Sequence, residues 1–159
     1  MEPMGKVLAI NPEKCTGCRL CEMACSMAHH GILNPLRARI RVLRLADGRD
    51  HVPVVCQACE DAPCIKTCPM NARIRTARQT VVTDEDRCIG CFMCNMVCPH
   101  GAMKTIMSQE KAFKCTLMCG KEELPTCVFA CDRGALFFDE LRAQNNQKRR
   151  AKLRGYPKK

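Results

Sequence analysis

Cys88-Ile89-Gly90-Cys91-Phe92-Met93-Cys94-Asn95-Met96-Val97-Cys98-Pro99 is the stretch that decides the fold. Three cysteines follow one another at two-residue gaps, a fourth comes after a three-residue gap, and proline follows it. Working outward, the same spacing stands at Cys15, Cys18, Cys21 and Cys25. Cys56, Cys59, Cys64 and Cys68 widen the second gap to four residues and again end in proline, Pro69. Cys115, Cys119, Cys127 and Cys131 form a looser fourth set. The 16 cysteines of this 159-residue chain therefore fall into four quartets. A content of roughly 8–10% cysteine already needs an explanation other than packing. This chain reaches it with 4% aromatic residues and no tryptophan. A conventional core would be thin, so bound metal has to supply much of the folding energy.

Disulfides, zinc sites and buried free thiols compete for so many cysteines. A disulfide scaffold needs an oxidising compartment. The first ten residues, with Glu2, Pro3 and few apolar side chains, do not read as a signal peptide, and no twin-arginine pair stands near them. No stretch approaches the roughly 20 apolar residues of a membrane span, so the expected location is the cytoplasm, where thiols stay reduced. Zinc is the stronger rival, because C-x2-C pairs also make zinc knuckles. A tetrahedral zinc site uses two separated pairs and has no role for a third thiolate two residues on. A 4Fe-4S cubane has one. Three cysteines on one loop can each reach a different iron while backbone N–H groups point at the sulfurs. The fourth, carried off by the start of a helix, ligates the other cluster of a two-cluster unit. Proline after that cysteine suits the first helical turn, the place expected for Pro69 and Pro99. Complete thiolate sets leave no vacancy for His29, His30, His51 or His100, which are expected in hydrogen bonds or solvent. Met23, Met93, Met96 and Met118 are expected to pack around the cubanes.

The chain also repeats itself. Leu8-Ala9-Ile10-Asn11-Pro12-Glu13-Lys14-Cys15 aligns with Val81-Val82-Thr83-Asp84-Glu85-Asp86-Arg87-Cys88: an apolar strand, an acidic turn, a basic residue, the first ligand. The exits repeat too, Cys98-Pro99-His100-Gly101-Ala102 resembling Cys131-Asp132-Arg133-Gly134-Ala135, with glycine suited to a left-handed helix end before a returning strand. Ala72 to Ile74 and Thr80 to Thr83 read as a hairpin.

The order strand, cluster loop, helix, strand resembles the bacterial ferredoxin unit. Taken over residues 5 to 138, the four quartets resemble the four-cluster iron-sulfur subunits of molybdenum and tungsten oxidoreductases of the dimethyl sulfoxide reductase and formate dehydrogenase type. The stretch Cys21 to Val42 is closest in character to the small soluble subunits of tungsten aldehyde oxidoreductases and CO dehydrogenases. The resemblance implies an α+β fold: two ferredoxin-like units in one compact domain, short strands and helices around the clusters, and a basic C-terminal helical tail. Residues 1–50 and 108–140 would form the first lobe, 51–107 the second and 141–159 the tail. The resemblance further implies four ligand sets. Cys15, Cys18, Cys21 and Cys131 would hold one 4Fe-4S cluster, and Cys25, Cys115, Cys119 and Cys127 its neighbour. Cys56, Cys59, Cys64 and Cys98 would hold the third, and Cys68, Cys88, Cys91 and Cys94 the fourth. Ser26 and Asp132 depart from the pattern, standing where proline would follow Cys25 and Cys131.

Between the first two quartets, Arg37, Arg39 and Arg41 alternate with Ala38, Ile40 and Val42, the periodicity of a strand with one basic face. That face is expected to be solvated, or else to be a docking surface. Asp47-Gly48 marks a turn into His51 to Val55, so a hairpin is expected. The formal charge of +10 invites a nucleic-acid reading. Four clusters, each about −2 with its thiolates, would bring the total close to neutral. The excess also sits at one end: residues 141–159 carry eight basic residues and no acid. Asp139 is expected to cap a helix there, running to about Leu153. The tail is read as a frayed terminus, as a docking segment for an acidic partner or a neighbouring copy of the chain, or as a nucleic-acid contact. The last is weakest, because no aromatic platform accompanies the charge.

With no glycine-rich dinucleotide motif and no nucleophile paired to a base, the chain reads as an electron-transfer subunit and not as an enzyme. The expected partner is a catalytic oxidoreductase subunit. A tungsten or molybdenum aldehyde oxidoreductase comes first, then CO dehydrogenase, formate dehydrogenase or hydrogenase, with a flavin subunit as a further redox partner. A zinc-bound nucleic-acid-binding protein is the remote alternative.

Overall fold

Among the described residues the strands are only three to five residues long, set between cysteine loops and short turns. In the computed structural model, residues 6–46, 48, 50–106, 111–117, 119 and 124–140 are described. The elements run β1 (Lys6–Ile10), α1 (Leu20–His30), β2 (Arg41–Arg44), β3 (His51–Val54), α2 (Pro63–Lys66), β4 (Arg73–Arg75), β5 (Val81–Thr83), α3 (Met93–Met96), β6 (Lys104–Ile106), β7 (Lys111–Phe113), α4 (Thr126–Phe129) and β8 (Leu136–Glu140). The fold is α+β. The strands pair as four antiparallel two-stranded sheets: β1 with β8, β2 with β3, β4 with β5 and β6 with β7. The first sheet joins distant parts of the chain, placing Leu8 opposite Phe138 and Ile10 opposite Leu136. Among the described residues, no helix is long and apolar enough to cross a membrane.

The buried side chains form two clusters. One gathers Val7, Leu8, Ile40, Val42, Val55 and Leu136 around Cys21, Cys25, Cys115 and Cys127. The other gathers Ala62, Val81, Met103 and Ala112 around Cys64 and Cys94. In the second, only Val81 and Met103 are both large and buried, with Ile65 and Phe92 packed partly exposed against them. Two such side chains contribute about 1.5–3 kcal/mol each, against roughly 1–2 kcal/mol of backbone entropy for every residue ordered. Apolar burial alone does not hold that half together.

The expected hairpin of residues 72–83 is present, with β4 beginning one residue later than the sequence suggested. The hairpin of β2 and β3 is present as well. Its turn includes Gly48, whose N–H donates to the Leu45 carbonyl at 2.9 Å, while Asp47 lies outside the described residues. The basic strand expected over Arg37 to Val42 is not a strand through most of its length. Asn34 caps a 3-10 turn at Pro35–Arg37, and regular pairing starts only at Arg41. The alternation still marks burial, since Ala38, Ile40 and Val42 all point into the core. Nor is the arginine face simply solvated: Arg41 donates to the Gly101 carbonyl at 2.5 Å, and the Nε atoms of Arg39 and Arg41 are buried. Asp139 lies inside β8 opposite Val7, with Glu140 still in the strand, so it does not cap a helix. The tail itself lies outside the described residues.

Pro69 and Pro99 occupy turns, not first helical turns. Each follows a one-turn helix, in the second position of a turn closed by Asn71 N–H to Cys68 O at 3.2 Å and by Gly101 N–H to Cys98 O at 3.1 Å. Cys131 begins the same turn, closed by Gly134 N–H at 3.1 Å. Asp132 therefore stands at the second position of that turn, where proline is not required. The missing proline after Cys25 has another cause. Cys25 and Ser26 lie within the 11-residue helix α1, where Ser26 is fully buried and its hydroxyl accepts the Asn34 N–H at 3.1 Å. Proline at that position would break the helix.

The second residue after the first cysteine of every quartet has a positive φ: Gly17 (73°), Ala58 (46°), Gly90 (71°) and Leu117 (60°). The left-handed conformation costs a non-glycine residue about 1–2 kcal/mol, and Ala58 and Leu117 bear that cost. At Gly17 a β-carbon would also run into the ring of His51 on β3. Gly17→Ala should therefore lower the anaerobic thermal midpoint by the equivalent of more than about 2 kcal/mol. Ala58→Gly should leave it unchanged or raise it. Equal losses from both variants would show that the left-handed position is not what limits the loop.

Candidate metal centres

Cys15 follows a 3-10 turn capped by Asn11, and the loop then turns through left-handed Gly17 and Arg19 into α1, which carries Cys21 and Cys25 on successive turns. Cys15, Cys18 and Cys21 line a pocket together with Cys131, from the turn that leads into β8. Val42, Pro53 and Leu136 complete its apolar wall. Cys56, Cys59 and Cys64 line a second pocket with Cys98, and Val81, Met103 and Lys114 join them. In both, three thiols come from one loop and the fourth from another quartet.

Cys25, Cys115 and Cys119 all lie close enough to act electrostatically on Cys127, and three of the four are buried. For the last set the link is less direct. Ala72 donates its N–H to Cys68 Sγ at 3.3 Å, and the adjacent Arg73 side chain donates to Cys94 Sγ at 3.1 Å. Cys68 and Cys94 are thus served from the same point at the start of β4. Cys91 is exposed and Cys88 half-buried.

Burial is the main force on these thiols. It pushes Cys21 up to about 12, with Glu22 adding to the effect, and Cys115 up to about 12. Burial also raises Cys25, Cys59, Cys64 and Cys127. Thiolates in such places need a bound cation to keep them deprotonated. Among the described residues, no three His, Cys, Asp or Glu side chains converge tightly enough to hold one metal ion. Thiols that ring a pocket instead of meeting at a point suit a four-iron core, which takes one ligand at each corner.

Backbone N–H groups are aimed at the sulfurs, as such a core requires. Arg39 donates to Cys25 at 3.2 Å, Leu117 to Cys115 at 3.4 Å, Ala58 to Cys56 at 3.5 Å and Ala102 to Cys98 at 3.4 Å. Ala58 and Leu117 are two of the left-handed residues, so the strained backbone is what turns these donors inward.

Two side chains that the motif reading overlooked also reach sulfur: Lys114 Nζ donates to Cys56 Sγ at 3.2 Å, and Arg73 to Cys94. A signal for Lys114 was present, because Lys14 and Arg87 likewise precede a first ligand, though both of those are exposed. His100 is exposed, as expected, but His29 and His30 depart from expectation. The Nε2 atoms of His29 and His30 are buried without a partner, and burial, then Arg39 and His30, lower His29 to about 4. Met93 and Met96 are exposed, while Met103, outside the quartets, is buried. Met118 lies outside the described residues.

Comparison with known proteins agrees with this chemistry. The family model of the 4Fe-4S dicluster domain matches residues 49–141, and that of a 4Fe-4S binding domain matches residues 7–32. The polyferredoxin-like subunit of an aliphatic sulfonate oxidoreductase from Pyrococcus furiosus is 40% identical over 78% of this chain and 70% of its own length. The electron transport protein HydN of Escherichia coli K12 is 32% identical over 84% of this chain and 87% of its own. A solved structure, the BamBC active-site complex of benzoyl-coenzyme A reductase with 1,5-dienoyl-CoA, contains a chain that superposes with a TM-score of 0.54. It is 27% identical and is matched over 87% of this chain and 78% of that one. The chain belongs to the 4Fe-4S dicluster-domain family and is an iron-sulfur protein related to ferredoxin-type electron transport proteins.

Proposed function

We propose that this chain is the electron-transfer subunit of an oxidoreductase complex and carries four 4Fe-4S clusters. The ligand sets are Cys15, Cys18, Cys21 and Cys131; Cys25, Cys115, Cys119 and Cys127; Cys56, Cys59, Cys64 and Cys98; and Cys68, Cys88, Cys91 and Cys94. The observation that carries this reading is the pair of pockets in which a loop of three thiols is completed by a fourth from a distant quartet. Cys21, Cys25, Cys115 and Cys127 share one buried cluster and Cys64 and Cys94 the other, which supports a division into a lobe of quartets one and four and a lobe of quartets two and three, joined where Val55 and Ala58 of the Cys56 loop pack into the first cluster.

When bound, a 4Fe-4S cluster takes up and releases one electron at a time, at a potential set by hydrogen bonds, burial and nearby charge. The protein's part is to hold such centres in series and to expose the ends. Lys114 Nζ touches Cys56 Sγ and also the Cys115 carbonyl, at 3.1 Å, so the second and third sites meet there. Cys18 and Cys91 are the two exposed thiols, one in the first set and one in the fourth. Electrons therefore enter and leave near these residues.

The partner is a catalytic subunit. The sulfonate oxidoreductase subunit and the BamBC complex are both, by their names, parts of larger oxidoreductases. A tungsten or molybdenum aldehyde oxidoreductase remains the leading choice, with CO dehydrogenase, formate dehydrogenase and hydrogenase behind it, and the cytoplasm is the expected setting. The tail 141–159, with its eight basic residues, would dock the chain on an acidic surface of that partner or of a neighbouring copy.

Anaerobically purified protein should be brown and contain about sixteen irons and sixteen sulfides per chain. Colourless protein holding zinc would reject the reading. Paired substitutions test the ligand sets. Cys56→Ala with Cys98→Ala should remove the same cluster twice and leave about twelve irons, whereas Cys91→Ala with Cys98→Ala should remove two and leave about eight. The reverse order would mean that Cys98 serves its own quartet.

A further inference from the structure

Lys114 is 2% exposed and lies where the proposed second and third sites meet. Its Nζ donates to Cys56 Sγ at 3.2 Å, to the Cys115 carbonyl at 3.1 Å and to the Val81 carbonyl. All three neighbours are acceptors. An ammonium has three donors and no lone pair, so it satisfies them all, whereas a neutral amine would set its lone pair against one of them.

Arg73, 3% exposed, makes the equivalent contact in the fourth site. Its Nη2 donates to Cys94 Sγ and to the Ala112 carbonyl, both at 3.1 Å, and its Nη1 to Thr83 Oγ1. Beside the first site the buried charge has the opposite sign. Glu22, 4% exposed, follows Cys21 on α1, and its Oε1 accepts the Val42 N–H at 2.6 Å. Lys104 feels that carboxylate but spends its own hydrogen bond on the Pro35 carbonyl, 3.1 Å away.

An electron added to a cluster places one more negative charge next to the ligand sulfurs. A fixed cation in hydrogen-bond contact with a ligand stabilises that reduced form, and a fixed carboxylate destabilises it, most strongly where water is excluded. We infer that Lys114 and Arg73 set the third and fourth sites at higher reduction potential than the first, where Glu22 acts in the opposite sense, so that electrons entering the chain collect first in the lobe of quartets two and three. This rests on the ligand sets proposed above.

The test is an anaerobic redox titration of the full chain, followed by electron paramagnetic resonance, on the wild type, Lys114→Met, Lys114→Gln, Lys114→Arg and Glu22→Gln, each with its iron measured. In Lys114→Met, one of the higher-potential components should move to more negative potential while the lowest stays in place. Lys114→Arg, which keeps the charge, should move it much less. Glu22→Gln should raise a low-potential component. An unchanged titration in a Lys114→Met protein with full iron would overturn the inference, as would an equal shift of every component or the same shift in Lys114→Arg. If Lys114→Met loses iron, Lys114→Gln carries the test; iron lost from both makes Lys114 a structural residue and also overturns it. Failure of the ligand sets is separately visible, as fewer than four reducible centres in the wild type.

Discussion

The rest of the structure depends on bringing four sulfurs together when no single loop supplies more than three. Cys131 reaches the Cys15 loop, and Cys98 reaches the Cys56 loop, only if the chain returns on itself across more than a hundred residues in one case and about forty in the other. The β1–β8 sheet closes the longer return, with the Asn11 N–H donating to the Ala135 carbonyl at 2.8 Å just beyond the strand ends. Such a return costs loop-closure entropy that rises only slowly with length. The β1–β8 sheet offsets part of it, and a metal centre bound across the two loops would offset more. The strands need not be long, and they are not.

The same requirement explains where the backbone is strained. A loop that wraps a metal core must turn its N–H groups inward at a fixed point after the first ligand, and the chain does so with a left-handed residue in all four quartets. Glycine solves this at Gly17 and Gly90 without cost. Ala58 and Leu117 are there because each also has a packing role, both being buried in the first core. Strain at these two positions persists because the surrounding structure and a bound core over-determine them.

Much of the candidate site was legible in the sequence because ligand spacing is a covalent property. A cysteine three residues from another has few places to go once the loop turns, so the quartets and the hairpin of residues 72–83 could be read directly. What failed was local geometry set by side chains elsewhere. The alternation from Arg37 to Val42 was read as a strand because period-two burial marks strands. Pro35 and the Asn34 cap instead impose a 3-10 turn, leaving the same residues buried in the same alternation. The prolines were placed in helices because helices favour proline at the start, yet the chain uses them just after a one-turn helix ends. The serine after Cys25 looked like a weakening of the pattern and proved to be what a helix interior with a buried hydroxyl contact requires.

Charge was the least legible feature, and for a physical reason. Composition counts a lysine once wherever it lies, but its effect depends on what surrounds it. Lys14, Arg87 and Lys114 occupy the same position relative to a first ligand, and the first two are exposed, where water screens them. Lys114 is enclosed by two carbonyls and a sulfur, where each unit of charge acts over the full distance to the neighbouring sites. A chain that reads as uniformly basic is thus differentiated inside. Its buried cations are at the sulfurs of quartets two and three, and its buried carboxylate is beside quartet one. That asymmetry lies in side chains and not in the repeated loop geometry of the quartets. In this chain Glu22, Arg73 and Lys114, rather than the cysteines, distinguish one end of the series from the other.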